Sequence, residues 1–298
     1  MGPRREDHES QFEADIRGFY DAIDHASMLK FIEHRIGDTR IVRLIQKWLT
    51  AGVLENGTWS DTERGAPQGA TASPLLANVY LHHVFDLWVK QWRKLYARGE
   101  VYVVRYADDL VLGFQYEDDA RRFHHALAER LRQFGLELHP EKTRLLRFGT
   151  RAEEQRRQRG EKKPETFDFL GLTHICGKTR KGWFLLHRHT SKPRMRARLR
   201  SIRDTLRRRR HEPPEVQGKW LQSVVRGYFA YHAVPTHIER LRSFRTQVAR
   251  HWVKALRRRS QHDHTTWETM KRRIEKWLPK PRMMHPLPHE RFDVKHPR

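Results

Sequence analysis

The chain has 298 residues, 37% of them hydrophobic, a single cysteine and a formal net charge of +24. That apolar content suits one large core or two smaller ones and excludes a disordered chain. The lone Cys176 excludes an intrachain disulfide and a zinc site built on paired thiolates, and no apolar run reaches the roughly 18 to 20 residues of a membrane span. The first residues, MGPRREDHESQF, lack the apolar stretch of a secretory signal, so a cytoplasmic, reducing setting is expected.

Along the chain, residues 12–24 (FEADIRGFYDAID) read as a short strand ending in an acidic turn. Ile41, Leu44, Ile45, Trp48 and Leu49 follow the i, i+3, i+4 spacing of a helix, predicting one buried face that ends near Gly52. Asn56-Gly57 signals a tight hairpin, and ERGAPQGATA reads as a loop. Ser73-Pro74 supplies a capping hydroxyl and a first-turn proline for a long helix over LLANVYLHHVFDLW. Residues 101–114 (VYVVRYADDLVLGF) predict a hairpin with its acids at the tip. A helix over 117–134 then carries Phe123, Leu127, Leu131 and Phe134 on one face and stops at Gly135. Strand-like pieces follow at LELH, TRLLRF, FDFLGL and WFLLH. The charged stretch 150–165 reads as a surface loop.

From about Thr190 helical patterns dominate, and the charge changes with them. Residues 1–150 hold 21 basic and 22 acidic side chains; the rest hold 39 basic and 14 acidic. A field of that sign attracts a phosphate backbone and releases its counterions, so the second half is expected to bind nucleic acid. The clusters Arg207, Arg208, Arg209, Arg210 and Arg257, Arg258, Arg259 are the leading RNA-binding candidates. Trp220, Tyr228, Phe229, Tyr231, Phe244, Trp252, Trp267 and Trp277 fit helix packing better than base stacking. His82-His83 and His124-His125 lack ligand-spaced partners and read as surface or packing residues.

The chemistry concentrates in two acidic places. Tyr106-Ala107-Asp108-Asp109 is a string that arises by chance in roughly one chain in twenty of this length. Its position between two apolar runs gives it meaning, because adjacent carboxylates repel unless a cation neutralises them. The plain alternative is a solvated acidic turn. Asp15, at the end of the first strand, offers a second carboxylate, and acids from two strands brought side by side form the hard oxygen site that Mg²⁺ prefers.

The ordered set DIRGFYDAID, GAPQGATASPLLANVYL, VRYADD, GLELHPEKT and FDFLGL resembles the consecutive palm blocks of group II intron reverse transcriptases. SVVRGYFAYHAV and FRTQVARHWVKALRRRSQ resemble the thumb, or maturase domain X. The resemblance implies an α+β right-hand palm over residues 1–189, an antiparallel sheet with packed helices, followed by an α-helical thumb over 190–298. It also implies RNA-directed DNA polymerase activity on an RNA template and DNA primer with deoxynucleoside triphosphates, and two Mg²⁺ ions held by Asp15, Asp108 and Asp109. Ile16, Tyr20, Gln68, Gly69, Tyr106 and Ala107 match nucleotide- or template-binding positions, Tyr20 as a steric gate against a 2′-OH. Lys142 matches a lysine that protonates departing pyrophosphate. Phe169, Leu170 and Gly171 match a block that supports the primer end.

Relatives carry a long fingers region before the first aspartate, whereas Asp15 stands near the start here. A truncated palm, with a separate polypeptide supplying the fingers, is therefore expected, and the C-terminus resembles the lineages without an endonuclease. Group II intron RNA is the expected partner. The alternatives left open are an RNA-binding splicing cofactor without polymerase activity and an inactive fragment.

Overall fold

The computed structural model describes residues 10–51, 53–55, 58–60, 64–66, 71–161, 165–259 and 266–286. The chain divides into two compact units, residues 1–165 and 166–298. In chain order the first comprises β1 (Ser10–Ala14), α1 (Phe19–Ala22), α2 (His25–Glu33), α3 (Thr39–Thr50), β2 (Val53–Glu55), β3 (Thr58–Ser60), α4 (Ser73–Leu81), a π-helical turn (His82–Asp86), α5 (Leu87–Leu95), β4 (Val101–Tyr106), β5 (Asp109–Phe114), α6 (Glu117–Arg132), β6 (Arg144–Leu146) and α7 (Ala152–Gln158).

Period-two alternation builds the first sheet, whose strand order is β4-β5-β1-β6 with every pairing antiparallel. Phe12 and Ala14 of β1, then Leu110, Leu112 and Phe114 of β5, are buried on one face. Helix α6 covers that face with Phe123, Leu127 and Leu131, each with no exposed surface. Phe123 meets Phe12 edge-on at 6.0 Å and Phe114 at 5.4 Å between ring centroids. Helix α6 carries Glu117, Asp118 and Asp119 in its first turn and Arg130 and Arg132 in its last, which matches its dipole. Asp119 is 1% exposed. Burial alone would push its pKa up, but the Arg122 guanidinium and the N–H groups of Arg98 and Gly99 hold it below the ordinary value.

Several elements depart from the sequence pattern. On α3 only Ile45 and Leu49 are buried; Ile41, Leu44 and Trp48 stand 45%, 46% and 46% exposed, so the expected five-residue buried face is two residues wide. Helix α4 starts at Ser73 with Ala72 as its cap residue and no side-chain cap, so Ser73 is not the expected cap, while Pro74 does occupy the first turn. Residues 152–158, expected as loop, form α7, whose early Glu153 and Glu154 and late Arg156 and Arg157 suit the helix dipole. Asn56-Gly57 lies outside the described residues, although β2 and β3 on either side pair in antiparallel register with Glu55 opposite Thr58.

The second unit opens with an antiparallel sheet of β7 (Thr166–Phe169), β8 (Leu172–Lys178) and β9 (Phe184–Thr190), so the expected domain division after residue 189 falls at the end of β9. Between β7 and β8, Leu170 and Gly171 both have positive φ, 48° and 77°, as a two-residue primed turn requires. Among the described residues four helices follow: α8 (Lys192–Arg208), α9 (Pro214–His232), α10 (Ile238–Arg257) and α11 (Trp267–Trp277). Their core includes Ile202, Leu221, Val225, Leu241, Phe244, Trp252, Met270 and Ile274. Tyr228 stacks on Phe244 at 3.7 Å, and the buried Trp252 indole donates to Gln217 Oε1 at 2.9 Å. Of the eight aromatics singled out in the sequence, most are thus packing residues, while Tyr231 and Trp267 are exposed, at 53% and 47%.

His237, fully buried, joins β9 to the α9–α10 turn. Its Nε2 accepts from the Thr190 N–H at 2.8 Å, which fixes the proton on Nδ1, and that group donates to the His232 carbonyl at 2.9 Å. Burial pushes the His237 pKa down to about 4.

Candidate active site at the end of the first sheet

The register of the first sheet decides which acids meet. Phe12 faces Leu112, Glu13 faces Val111 and Ala14 faces Leu110, so continuing by one residue sets Asp15 opposite Asp109. With alternate residues buried, Asp15 and Asp109 belong to the face away from α6, where Tyr102, Val104 and Tyr106 of β4 are 52%, 51% and 63% exposed. The β4–β5 hairpin closes over Ala107 and Asp108, after the terminal pair Tyr106–Asp109. Ala107 has φ 53°, a left-handed conformation that a residue with a Cβ adopts only when its surroundings enforce it.

Arg105 supplies the enforcement. It holds the Asp86 carboxylate in a two-pronged contact, Nε–Oδ1 2.8 Å and Nη2–Oδ2 2.6 Å, and its Nη1 donates to Asn78 Oδ1 at 2.8 Å and to the Ala107 carbonyl at 3.2 Å. One guanidinium therefore ties the hairpin tip to the helix behind it. The sequence reading missed Arg105, Asp86 and Asn78. A charged side chain at an inward-facing position of an otherwise apolar strand was the available signal.

The segment after α6 approaches the same place. Ile16 bridges Leu138, the His139 N–H donates to the Asp15 carbonyl at 2.8 Å, and the Arg17 N–H to the Glu137 carbonyl at 2.9 Å. The bridge is made by the neighbours of Ile16, so its own carbonyl takes no part in those bonds. The turn at His139–Thr143 then brings the Lys142 ammonium onto Asp15 Oδ2 as an ion pair. The Asp15 contact first, and then the charges of Asp109 and Asp108, hold the Lys142 pKa above its usual value. All four side chains therefore share one electrostatic neighbourhood.

Tyr20 sits half-buried in α1 beside Phe19, 5.5 Å between centroids. Its carbonyl accepts the Ala66 N–H at 2.8 Å, while Gly65, φ 89°, lies so close that a Cβ there would come within 2.8 Å of the Tyr20 oxygen. Residues 64–66 are thereby fastened against Tyr20; Gln68 and Gly69, next in the chain, lie outside the described residues.

Among the described residues no three His, Cys, Asp or Glu side chains are gathered as a metal-holding group. The register brings Asp15, Asp108 and Asp109 to one end of the sheet without closing them into a three-carboxylate cluster. Their chemistry nevertheless fits a hard divalent ion: three carboxylates set against one ammonium leave two negative charges in excess. In the second unit Arg207, Arg208 and Arg258 are exposed or line a cavity, whereas Arg209 pairs with Glu212 and Arg259 donates to the Arg210 carbonyl at 2.7 Å.

The family described as "Reverse transcriptase (RNA-dependent DNA polymerase)" matches residues 4–174. The group II intron-encoded protein LtrA of Lactococcus lactis is 44% identical over 86 residues, 29% of this chain and 14% of that protein. An uncharacterized 91 kDa protein in the cob intron of Schizosaccharomyces pombe is 39% identical over 72 residues, 24% of this chain and 9% of that protein. The chain thus spans a small part of the curated relatives it matches. Apo telomerase from Candida tropicalis superposes over 91% of this chain and 44% of its own at 12% identity and a TM-score of 0.48, a likeness too loose to build on. No helix among the described residues is long and apolar enough to cross a membrane. With more than half of its length matched, and with a distant relation to group II intron-encoded proteins, the chain belongs to the reverse transcriptase (RNA-dependent DNA polymerase) family.

Proposed function

We propose that the chain is the palm and thumb of a group II intron reverse transcriptase, extending a DNA primer on an RNA template with deoxynucleoside triphosphates and binding intron RNA through its basic second unit. The observation that carries this reading is the strand register setting Asp15 against the Asp108–Asp109 hairpin, with Lys142 beside all three. Asp15, Asp108 and Asp109 would hold two Mg²⁺ ions, with the Ile16 carbonyl available as a further oxygen. The ions supply activation of the primer 3′-OH and charge neutralisation at the triphosphate. Arg105 holds the turn that presents Asp108. Tyr20 would act as the ring that excludes a 2′-OH, and Gln68 and Gly69 would contact template and nucleotide. The exposed Tyr106 flanks the acids, and the Lys142 ammonium, kept protonated by Asp15, would give a proton to pyrophosphate. The palm is read as reaching to residue 189 and the thumb from 190 to 298.

The test is primer extension on an RNA template with Mg²⁺. Asp108→Asn should lower extension by at least about 100-fold, the upper end of what losing a ligand's supporting hydrogen bond costs. Equal extension by both proteins would reject the site.

A second reading, an RNA-binding splicing cofactor without polymerase activity, is favoured by the excess of basic residues after residue 150. It predicts that Asp108→Asn supports intron splicing as well as the unsubstituted chain while neither extends a primer.

A further inference from the structure

Neighbours divide the two arginine clusters into different kinds of residue. Arg209 pairs with Glu212 and lies over the Trp220 ring, 5.2 Å from its centroid; Arg259 donates to the Arg210 and Glu212 carbonyls; Arg208 reaches the Thr205 hydroxyl. These three hold the turn between α8 and α9 or their own helix. Arg207, Arg210 and Arg258 instead line a cavity of about 270 Å³ between α8 and α10, together with Arg203, His251 and Lys254, and Ala255 leaves room at its wall.

The sequence spacing explains the assembly. Arg203, Arg207 and Arg210 recur at i, i+4 and i+7, and His251, Lys254 and Arg258 at i, i+3 and i+7, so each segment presents one row of cations to the other. No Asp or Glu is among the described residues lining the space, and Arg203 has its ion pair with the adjacent Asp204. Five cations around a space that no described acid lines repel one another. Burial, with Arg203 and Lys254 beside it, lowers the His251 pKa. Arg210 Nε is buried in this wall and has no hydrogen-bond partner, whereas buried donors in native proteins are nearly always satisfied. An oxygen-rich anion in the space would offset the repulsion of these cations.

We propose that this cavity is a phosphate-binding site for the backbone of RNA, in which Arg207, Arg210 and Arg258 donate to one phosphodiester and Arg203 and Lys254 to its neighbours. It rests on the reading of the second unit as the RNA-binding half, and it assigns the grip to particular residues, two of them, Arg203 and Lys254, outside the two clusters. The experiment measures binding of a fluorescent RNA stem–loop to the full chain across a potassium chloride series. Arg207→Ala/Arg210→Ala/Arg258→Ala should weaken binding at least about tenfold and lower the slope of log K against log salt by about 0.7 to 0.9, the release that goes with one lost phosphate contact. Lys219→Ala/Arg226→Ala/Arg250→Ala, which removes the same charge from other exposed positions, should change the slope by less than about 0.3. Equal effects from the two variants, or none from the first, overturn the site; failure of the unsubstituted chain to bind RNA overturns the functional reading instead. Should the first variant not fold, acetylation of the unsubstituted chain decides: RNA should protect Lys254 and leave Lys219 reactive. Protection of Lys254 by inorganic pyrophosphate and not by RNA would make this a free-phosphate site and reject the RNA assignment.

Discussion

Arg105 occupies an inward-facing step of β4, 15% exposed, where an aliphatic residue would be the default. Its replacement by alanine would free the Ala107 carbonyl and strand the Asp86 carboxylate. Breaking such a half-buried pair costs on the order of 3 kcal/mol. Chemical denaturation should show that loss, and calorimetric titration with Mn²⁺ should show weaker binding as Asp108 loses its fixed turn; unchanged affinity would remove Arg105 from the positioning role. His237 makes a separate prediction. Its folded pKa of about 4 lies below the ordinary 6.5, so on acidification the unfolded chain takes up the proton first. The contribution is complete above pH 6.5 and is lost as pH falls toward 4, on the order of 3 kcal/mol at 1.36 kcal/mol per unit. The urea midpoint should therefore decline between pH 7 and 4.5, and more shallowly in His237→Gln. Parallel declines in the two proteins would count against it.

At the scale of elements, legibility followed the number of faces that bury. The β4–β5 hairpin and α6 could be read from spacing because one face of each enters the core and the other meets water. Helix α3 misled because its apolar residues cover more of its circumference than its neighbours do: Ile45 and Leu49 enter the core while Ile41, Leu44 and Trp48 do not. Leu49→Ala should cost about 2–5 kcal/mol, whereas Leu44→Gln should stay within about 0.5 kcal/mol, a contrast that thermal denaturation resolves. Helix α7 escaped notice because its signal is charge order along the axis, with no apolar stripe to reveal it. In the candidate site the acids and Lys142 were legible as motif residues, while Arg105, Asp86 and Asn78 were not, since their meeting depends on the helix over 73–95 lying behind the hairpin.

For the whole molecule, the divided charge and the two separate cores express one arrangement: a near-neutral unit carrying the acids and a cationic unit whose helices pack on their own aromatics. RNA affinity should accordingly follow salt steeply, by roughly 10³-fold or more between 50 and 200 mM if six or more phosphates are contacted. Binding that ignored salt would mean the basic residues are mere solvated surface. The compact units divide at residue 165, so β7, β8 and β9 belong with the helices that follow them.

The π-helical turn at His82–Asp86 has a bearing on the hairpin it faces. Asn78 and Asp86 are eight residues apart, a separation that in a regular helix of 3.6 residues per turn leaves their directions about 80° out of phase. The wider turn, marked by the Leu87 N–H reaching back five residues to the His82 carbonyl, cancels much of that offset, and both side chains meet a single guanidinium. Excising one residue between them would leave the pair seven apart in a regular helix, only about 20° out of phase, so both partners should still reach Arg105, whereas winding all eight residues as a regular helix would rotate the acid off Arg105 and release the turn carrying Asp108.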